Sequence, residues 1–306
     1  MASIAPTAAR PAAVGVTADR RPPPRAWYAD VWVQLLRRKP LGTAGGLIVV
    51  TMLAAAVLAD VITPYGFATT SLRERFASIN GAHWLGTDQL GRDLLTRLIY
   101  GARILLYVGF GAVALGSALA VALGIFSGYR GGQLDLLLQR GVDAWMAFPP
   151  LLLLMTILSL LGPGVWNITL VLGTAFGIQN SRIVRGVVLG LKENTYIESA
   201  RALGSGHVRI TLVHLLPNVL PTVIVVATTG LSTVILTEAS LSFLGLGVPP
   251  PYPTWGGMLS LAGLDHMYLA PWLAIWPAVA LSLAVFGFNM LGDALRDLLD
   301  PRLRGG

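Results

Sequence analysis

Cysteine is absent from this chain of 306 residues, and charged residues are scarce. Without cysteine, neither a disulfide nor a thiolate metal site can contribute to the fold or to any chemistry. Only 12% of the residues are charged, whereas a typical soluble domain has about 25%. Hydrophobic residues make up 54% of the chain, and its mean hydropathy is +0.68. These values predict an integral membrane protein.

Six stretches contain no Lys, Arg, Asp or Glu, and at about 20 residues each they are long enough for a helix to cross about 30 Å of hydrocarbon. They lie at 41–59, 104–127, 144–161, 165–181, 218–237 and 270–291. The third and fourth come from one uncharged run that "LGPG" at 161–164 interrupts, which predicts a tight helical hairpin. The sequence therefore predicts an all-α membrane protein with six transmembrane helices.

A further uncharged run at 239–264 contains the sequence GLGVPPPYPTWGG. Its prolines and glycines would leave backbone groups unpaired in lipid, so we expect a loop or a re-entrant segment there rather than a span. The first 40 residues are a tail rich in Ala, Pro and Arg, expected to be disordered up to about residue 28. Because a secretory signal has a shorter basic start and an apolar core of about 7 to 15 residues, the first span is interpreted as a retained anchor.

The basic residues predict the orientation of the spans. Most of the 22 lysines and arginines lie in segments that six crossings place on one side: the N-terminal tail, 128–143, 182–217 and the C-terminus. Both termini are therefore expected in the cytoplasm, and the net charge of +7 requires no nucleic-acid partner. The predicted organisation is a tail at 1–40, a first transmembrane helix at 41–62, an extracytoplasmic loop at 63–103, a core of five helices at 104–292 with a second extracytoplasmic loop at 238–269, and a tail at 293–306.

A phosphate-binding loop is also missing. A chain that hydrolysed ATP would need G-x-x-x-x-G-K-[ST], but its only lysines, Lys39 and Lys192, are not followed by Ser or Thr. Ion-driven carriers usually place acids inside the bilayer, whereas the predicted spans have only Asp60 and Glu238 at their edges. The four histidines lack close metal-ligand spacing, so neither catalysis nor a metal site is expected.

The polar stretch YIESARALGSGHVRITLVHLLP, at 196–217, interrupts the apolar sequence on the predicted cytoplasmic side. Thr195 and Glu198 have the spacing of a capping box. An apolar stripe at helical intervals is formed by Ile197, Ala200 and Leu203. We expect a helix of about two turns that ends at Gly204 and Gly206, after which the chain turns towards the membrane at Pro217.

A helix this short is marginal alone in water, so the bilayer, its own protein or a partner is expected to hold it. The stretch resembles the cytoplasmic signature of ABC-importer permeases: Glu-Ala-Ala, three residues, Gly, nine residues, Ile, one residue, Leu-Pro. The matching positions are Glu198, Ser199, Ala200, Gly204, His214, Leu216 and Pro217, with Ser and His in place of the usual Ala and Ile. The plainer alternative is an ordinary capped loop helix.

This resemblance implies a coupling helix seated in a groove on a separate ATPase. A stiff helix on a hinge would pass rigid-body movement of the ATPase to the spans. Glu198 and Arg201 would be available for charge-assisted contacts on the ATPase.

The stretch HWLGTDQLGRDLLTRLIYGAR, at 83–103, predicts an amphipathic helix along the outer membrane surface. The turn Gly86-Thr87-Asp88 supplies an N-cap, and Asp93 is placed to pair with Arg97 one turn later. One side of this helix would carry Leu90, Leu94, Leu95 and Leu98. The alternative is that this helix has no further role.

Three more stretches resemble the C-type subunit of dipeptide, oligopeptide and nickel permeases. They are LGTDQLGRD at 85–93, EASLSFLGLGVPPPYPTWGGML at 238–259 and NMLGDALRDLLDPRLR at 289–304. The resemblance covers most of the chain from about residue 30. It implies the type I ABC importer permease fold in a bacterial plasma membrane.

The same resemblance implies several partners. They are a sister permease, two cytoplasmic ATPases that bind ATP and Mg²⁺, and an extracytoplasmic solute-binding protein. Di- or oligopeptides are the leading cargo, while nickel and glutathione stay open because importers of all three share these motifs.

The segments 63–103 and 238–269 would face the binding protein. The candidate docking residues are Asp88, Arg92, Asp93, Tyr252 and Trp255. An interfacial aromatic anchor is the alternative for Tyr252 and Trp255. The pathway is expected between this chain and its sister, and no substrate-contacting residue is assigned.

Two features leave alternatives open. The small residues of the second span, Gly109, Gly111, Gly116 and Gly124, suit close helix packing, either beside the pathway or inside the chain. A stand-alone channel or secondary carrier, or a membrane scaffold without a pathway, are the other functional classes.

Overall fold

The computed structural model describes residues 40–260 and 265–299, and this part of the chain is helical, as predicted. In chain order the helices are α1 (Pro40–Val57), α2 (Ala59–Ile62), α3 (Leu94–Arg130), α4 (Gly132–Met146), α5 (Pro150–Leu161), α6 (Val165–Leu191), α7 (Thr195–Ala202), α8 (His207–Arg209), α9 (Leu216–Phe243), α10 (Trp255–Leu259) and α11 (Trp272–Leu299). A 3₁₀ turn lies at Leu72–Glu74 and a π-helical segment at Ile210–Leu215. The predicted disordered tail lies outside the described residues.

Four helical stretches in the described residues are long and apolar enough to cross a membrane: Pro40–Val57, Leu94–Arg130, His207–Phe243 and Trp272–Asp297. Helices α4 and α5 together make a fifth if a bend of 90° between them is allowed within one span. Helix α6 has 27 residues, but Asn180, Arg182 and Arg185 make its second half less apolar. Six crossings therefore stay a prediction.

The predicted surface helix at 83–103 is wrong, because residues 88–93 form a turn and the following leucines open a membrane helix. Helix α3 runs without interruption for 37 residues from Leu94 to Arg130. Leu94 and Leu98 are buried in the main apolar core, whereas Leu90 precedes the helix and is exposed. The apolar side of the first two turns therefore faces protein and not the membrane surface.

The predicted span at 144–161 is broken. Helix α4 occupies most of the predicted loop at 128–143, and the chain bends by 90° before α5 begins at Pro150. Two successive prolines explain the break, because a residue that precedes proline disfavours the helical conformation while proline suits the first helical turn. The hairpin at 161–164 is confirmed, with α5 ending at Leu161 and α6 starting at Val165.

Helices α3 and α6 pack closely along their length. A Cβ on Gly116 would lie 2.6 Å from the carbonyl oxygen of Gly173, and one on Gly124 would lie 2.6 Å from Val184. Only glycine allows the two backbones to approach this far. Both glycines are therefore internal packing sites, one of the two alternatives that the sequence left open.

Helix α9 is longer than its predicted span, and the predicted turn at Pro217 is wrong. The chain is helical from His207 through the π-helical segment into α9, and Pro217 lies in the first turn of α9. A proline clashes with the carbonyl four residues earlier in a regular α-helix, and the wider π turn before it is where this helix departs from regular geometry. Glu238 lies inside α9 rather than at its edge and is fully buried.

The expected loop in the 239–264 run is confirmed from residue 244 onwards. Helix α9 ends at Phe243, and only the five residues of α10 are helical before Ser260. The last four residues of the run, 261–264, lie outside the described residues.

Candidate functional site

Helix α7 is held by its own chain through one face. Ile197 is fully buried and belongs to an apolar cluster with Val188, Ile210 and Leu215. Ala200, on the same face, is only 9% exposed. Because α7 has only eight residues, this packing rather than intrinsic helix propensity stabilises it. Leu203, predicted to extend the apolar stripe, is 87% exposed.

The two ends of α7 differ in how well the sequence predicted them. The expected capping box is wrong, because Asn194 occupies the N-cap position without a side-chain bond and Thr195 lies inside the helix. The prediction that Gly204 ends the helix is confirmed, since its φ is +80°. The amide of Gly204 donates to the carbonyl of Arg201 and that of Ser205 to Ala200, which is the paired arrangement of a Schellman motif.

The other face of α7 is open. Glu198, Ser199 and Arg201 are exposed, and Leu203 follows them directly. An exposed carboxylate and guanidinium beside an exposed leucine can contact another protein through both charge and apolar area. The remaining signature residues lie at the start of the next helix, where Leu216 and His214 are half-buried and Pro217 is exposed.

Ion pairs beside α7 hold α4 to α6. Arg185 donates from Nε and Nη2 to the two carboxylate oxygens of Asp135, each at 2.6 Å. Ser127 from α3 also donates to Asp135, and Arg182 pairs with Asp143 two turns along α4. The partners are 39 and 50 residues apart in sequence, so no local spacing pattern could have predicted them.

At the opposite end of α3, Asp88 organises a turn instead of capping a helix. Its Oδ1 accepts the amides of Leu90 and Arg92 at 2.8 and 3.0 Å. Its Oδ2 accepts Nε of Arg92 at 2.6 Å and lies 3.5 Å from Nε of Arg97. One carboxylate thus fixes the loop that precedes α3.

Asp93 is the N-cap of α3, and the predicted Asp93–Arg97 pair is wrong. Oδ2 of Asp93 accepts the amide of Thr96 at 2.8 Å, and Oδ1 is hydrogen-bonded to Nδ1 of His83 at 2.9 Å. Arg97 points elsewhere, donating from Nη1 to the carbonyls of Phe67 and Pro251. Both side chains therefore hold loops to α3.

Trp255 is a packing residue and not an interfacial anchor. It is only 4% exposed, and its indole N–H donates to the carbonyl of Leu98 at 2.9 Å. The absence of a side chain at Gly101 makes room for the ring, since a Cβ there would lie 2.7 Å from it. Trp255 thereby joins α10 to the first turns of α3.

The docking candidates separate into two groups. Asp88, Arg92, Asp93 and Trp255 are buried, so they shape this surface from within, and their role in docking stays a prediction. Tyr252 is 54% exposed and stacks on Phe67 with ring centroids 5.6 Å apart. Of the five candidates, Tyr252 alone presents its side chain to the outside.

A cavity of about 360 Å³ opens beside these residues. Its charged lining residues are Asp88, Arg92 and Arg97, and its apolar wall includes Pro249 and Pro250. Two guanidinium groups face one carboxylate, so the cavity favours a negatively charged group.

Helix α2 is tied to α3 by a second exposed cluster. Arg103 donates to both carboxylate oxygens of Asp60, at 3.2 and 2.9 Å, and Tyr100 donates to Oδ1 at 2.6 Å. These hydrogen bonds, that of Arg103 most strongly, hold the pKa of Asp60 below its usual range because they stabilise the ionised carboxylate. Asp60 is therefore ionised at neutral pH.

Comparisons with known proteins agree on one family. The family model described as "Binding-protein-dependent transport system inner membrane component" matches residues 120–305. The dipeptide transport system permease protein DppC of Alkalihalophilus pseudofirmus is 39% identical over 288 residues, which cover 92% of this chain and 94% of that protein.

Two further relatives carry different names. The glutathione transport system permease protein GsiD of Pectobacterium atrosepticum is 39% identical over 92% of this chain and 93% of its own length. The oligopeptide transport system permease protein OppC of Bacillus subtilis is 38% identical, with 88% of each chain covered.

Proposed function

This chain belongs to the family of binding-protein-dependent transport system inner membrane components, and we propose that it forms half of the pathway of an ATP-driven importer of di- or oligopeptides. It is a permease subunit of the ABC-importer class, as its relatives are. The observation that carries the proposal is α7, an exposed helix held on its inner face by Ile197 and Ala200. ATP and Mg²⁺ would be bound by two separate ATPase subunits.

The cargo proposal rests on the relatives. Those named for dipeptides and oligopeptides are 39% and 38% identical to this chain, and one named for glutathione is 39% identical. Sequence identity alone does not distinguish these substrates, so glutathione is the alternative cargo. Nickel is a further alternative that rests only on the sequence motifs shared with nickel permeases.

We propose six crossings, with α4 and α5 as a bent third span and α6 as the fourth. The 27 residues of α6 extend for about 40 Å, which exceeds the thickness of the hydrocarbon layer. This topology places both termini and α7 in the cytoplasm, and the loops around Trp255 outside. It also agrees with the excess of basic residues on the cytoplasmic side.

On the cytoplasmic side, α7 would sit in a groove of an ATPase subunit. Its buried face fixes it to the permease, while Glu198, Arg201 and Leu203 are exposed on the side that would face the partner. On the outside, the solute-binding protein would dock over Tyr252 and the cavity that Arg92 and Arg97 line. A sister permease would complete the pathway.

The coupling role is tested by Glu198→Arg and Gly204→Asp in the assembled transporter in proteoliposomes. Glu198→Arg reverses an exposed charge without disturbing the core. Gly204→Asp places a side chain where φ is +80°, which strains the end of α7. We expect uptake of a labelled dipeptide to fall at least about tenfold, equivalent to about 1.4 kcal/mol, while ATP hydrolysis continues without stimulation by substrate.

The matched control is Glu193→Arg, the same change at an exposed position just before α7, which is expected to keep wild-type uptake. Glutathione and nickel as competitors test the cargo in the same assay. Wild-type uptake together with substrate-stimulated hydrolysis in either α7 variant would contradict the coupling role.

A further inference from the structure

Tyr129 contacts the chain on both sides of the turn that follows α7. It is the next-to-last residue of α3. Before the turn, Cζ of Arg201 lies 5.4 Å from the Tyr129 ring centroid. After the turn, Nδ1 of His207 is hydrogen-bonded to the Tyr129 hydroxyl at 3.0 Å. We infer that Tyr129 is a positioning residue that clamps α7 to the end of α3, so that movement of α7 is transmitted to α3.

The turn itself has little packing that could fix it. Leu203 is exposed, and a Cβ added at Gly204 or Gly206 would meet nothing within 4 Å. Ile197 and Ile210 anchor the flanking helices, but apolar contact is non-directional and tolerates sliding. The hydrogen bond and the cation–π contact of Tyr129 are directional. They therefore define the angle at which α7 meets α3.

Helix α3 extends from this clamp to the loops at the other end of the molecule. There Asp93 caps its first turn, and Trp255 donates to the carbonyl of Leu98. A continuous helix moves as one body, and hinge-type transitions concentrate the change in a few residues at its ends. Tyr129 thus joins a movement at α7 to the loops around Trp255. The inference rests on the proposed coupling role of α7.

The test compares the number of dipeptides taken up per ATP hydrolysed by the assembled transporter in proteoliposomes. Tyr129→Leu removes both the hydrogen bond and the cation–π contact, and we expect this ratio to fall about tenfold, the factor that corresponds to 1.4 kcal/mol. Tyr129→Phe keeps the ring and therefore the cation–π contact, so its ratio of uptake to hydrolysis is expected to fall less. The control is Tyr107→Leu, the same substitution at an exposed tyrosine on the same helix, which is expected to keep the wild-type ratio.

A second set of variants remains informative if Tyr129→Leu does not insert. Tyr129→Phe and His207→Ala both remove the hydrogen bond, and His207→Ala also removes the edge contact between the two rings. Each should therefore lower the ratio, and the double variant should be no worse than His207→Ala alone. Additive effects would overturn the clamp, as would a wild-type ratio in Tyr129→Leu or an equal loss in Tyr107→Leu.

Hydrogen exchange separates failure of the clamp from failure of the proposed function. In the assembled transporter without ATP, Tyr129→Leu should accelerate exchange of the amides at 203–207, with no change in α10. Unchanged exchange would overturn the clamp even if Glu198→Arg abolishes coupling. Accelerated exchange in a transporter whose wild-type form shows no ATP-driven uptake would leave the clamp standing and overturn the proposed function.

Discussion

Trp255 illustrates how one side chain joins two distant parts of the sequence. Its ring fills the space left by Gly101, and its N–H reaches the carbonyl of Leu98, 157 residues away. A tryptophan in a loop rich in proline would be expected at the membrane interface from composition alone. The ring is instead enclosed by protein, because a glycine one helical turn further along α3 gives it room.

We expect Trp255→Phe to lower the free energy of unfolding by about 1 kcal/mol, because it keeps most of the ring but loses the hydrogen bond. Trp255→Ala is expected to cost about 3–5 kcal/mol, since it also leaves a cavity. The measurement is the denaturant midpoint of the purified protein in detergent. Trp166→Phe, at a ring that is 79% exposed, should leave the midpoint unchanged, and an equal effect at both positions would contradict the buried role.

Buried charges explain why the sequence misplaced some helix boundaries. The predicted spans begin and end at charged residues, so Arg97 and Arg103 delayed the start of the second span and Glu238 ended the fifth. In the structure, Arg97 lies 3.5 Å from Asp88 and donates to two backbone carbonyls, so the chain can bury it, and α3 starts at Leu94, nine residues before Arg103. A charge-free window cannot detect a partner that lies elsewhere in the chain.

At the scale of elements, α4 depends on α6. Helix α4 exposes several leucines, including Leu136 and Leu137, and has a single fully buried residue among those described, Val142. Its position is therefore determined by ion pairs rather than by core packing. Asp135 and Arg185 form the better shielded of the two main pairs, with side chains that are 14% and 29% exposed.

Asp135→Asn is expected to lower the free energy of unfolding by about 2 kcal/mol, the range for a hydrogen-bonded charge pair away from bulk water. The double variant Asp135→Arg with Arg185→Asp swaps the two charges and restores an ion pair, so it should recover part of the lost free energy. The denaturant midpoint in detergent measures both. Arg140→Gln breaks a contact of 3.8 Å between exposed groups and should change the free energy of unfolding by less than about 0.5 kcal/mol. If Arg140→Gln lowered the free energy of unfolding as much as Asp135→Asn, burial would not be what strengthens the Asp135–Arg185 pair.

The local signals of α7 predicted its position and the burial of Ile197 and Ala200, but not the exposure of Leu203 or the contacts with Tyr129. Gly204 ends the helix as expected, because a positive φ favours glycine whatever surrounds it. The capping box failed because the helix begins at Thr195 itself, which shifts the N-cap to Asn194. Tyr129 and His207 are 78 positions apart, so no helical or capping pattern could have predicted their contact.

At the scale of the whole molecule, many large apolar side chains are exposed. Leu160 and Trp166, on either side of the α5–α6 hairpin, are examples. Such surface is stable against lipid or another apolar chain, which agrees with a permease that spans the bilayer.

The proposed orientation predicts which residues are accessible from each side. The chain has no cysteine, so a single introduced cysteine reports one position. In right-side-out vesicles, a membrane-impermeant maleimide should label Tyr268→Cys but label Leu203→Cys only after permeabilisation, and both positions are strongly exposed. Labelling of Leu203→Cys in sealed vesicles would overturn the orientation.

The length of α3 has a consequence for how this protein responds to its membrane. Its 37 residues extend for about 55 Å, whereas the hydrocarbon layer is about 30 Å thick. Part of the helix must therefore stand clear of the lipid or lean within it. The length of α3, and not the thickness of the lipid, consequently sets the distance between Tyr129 and Trp255. This distance should stay constant when the same transporter is moved from thin to thick bilayers.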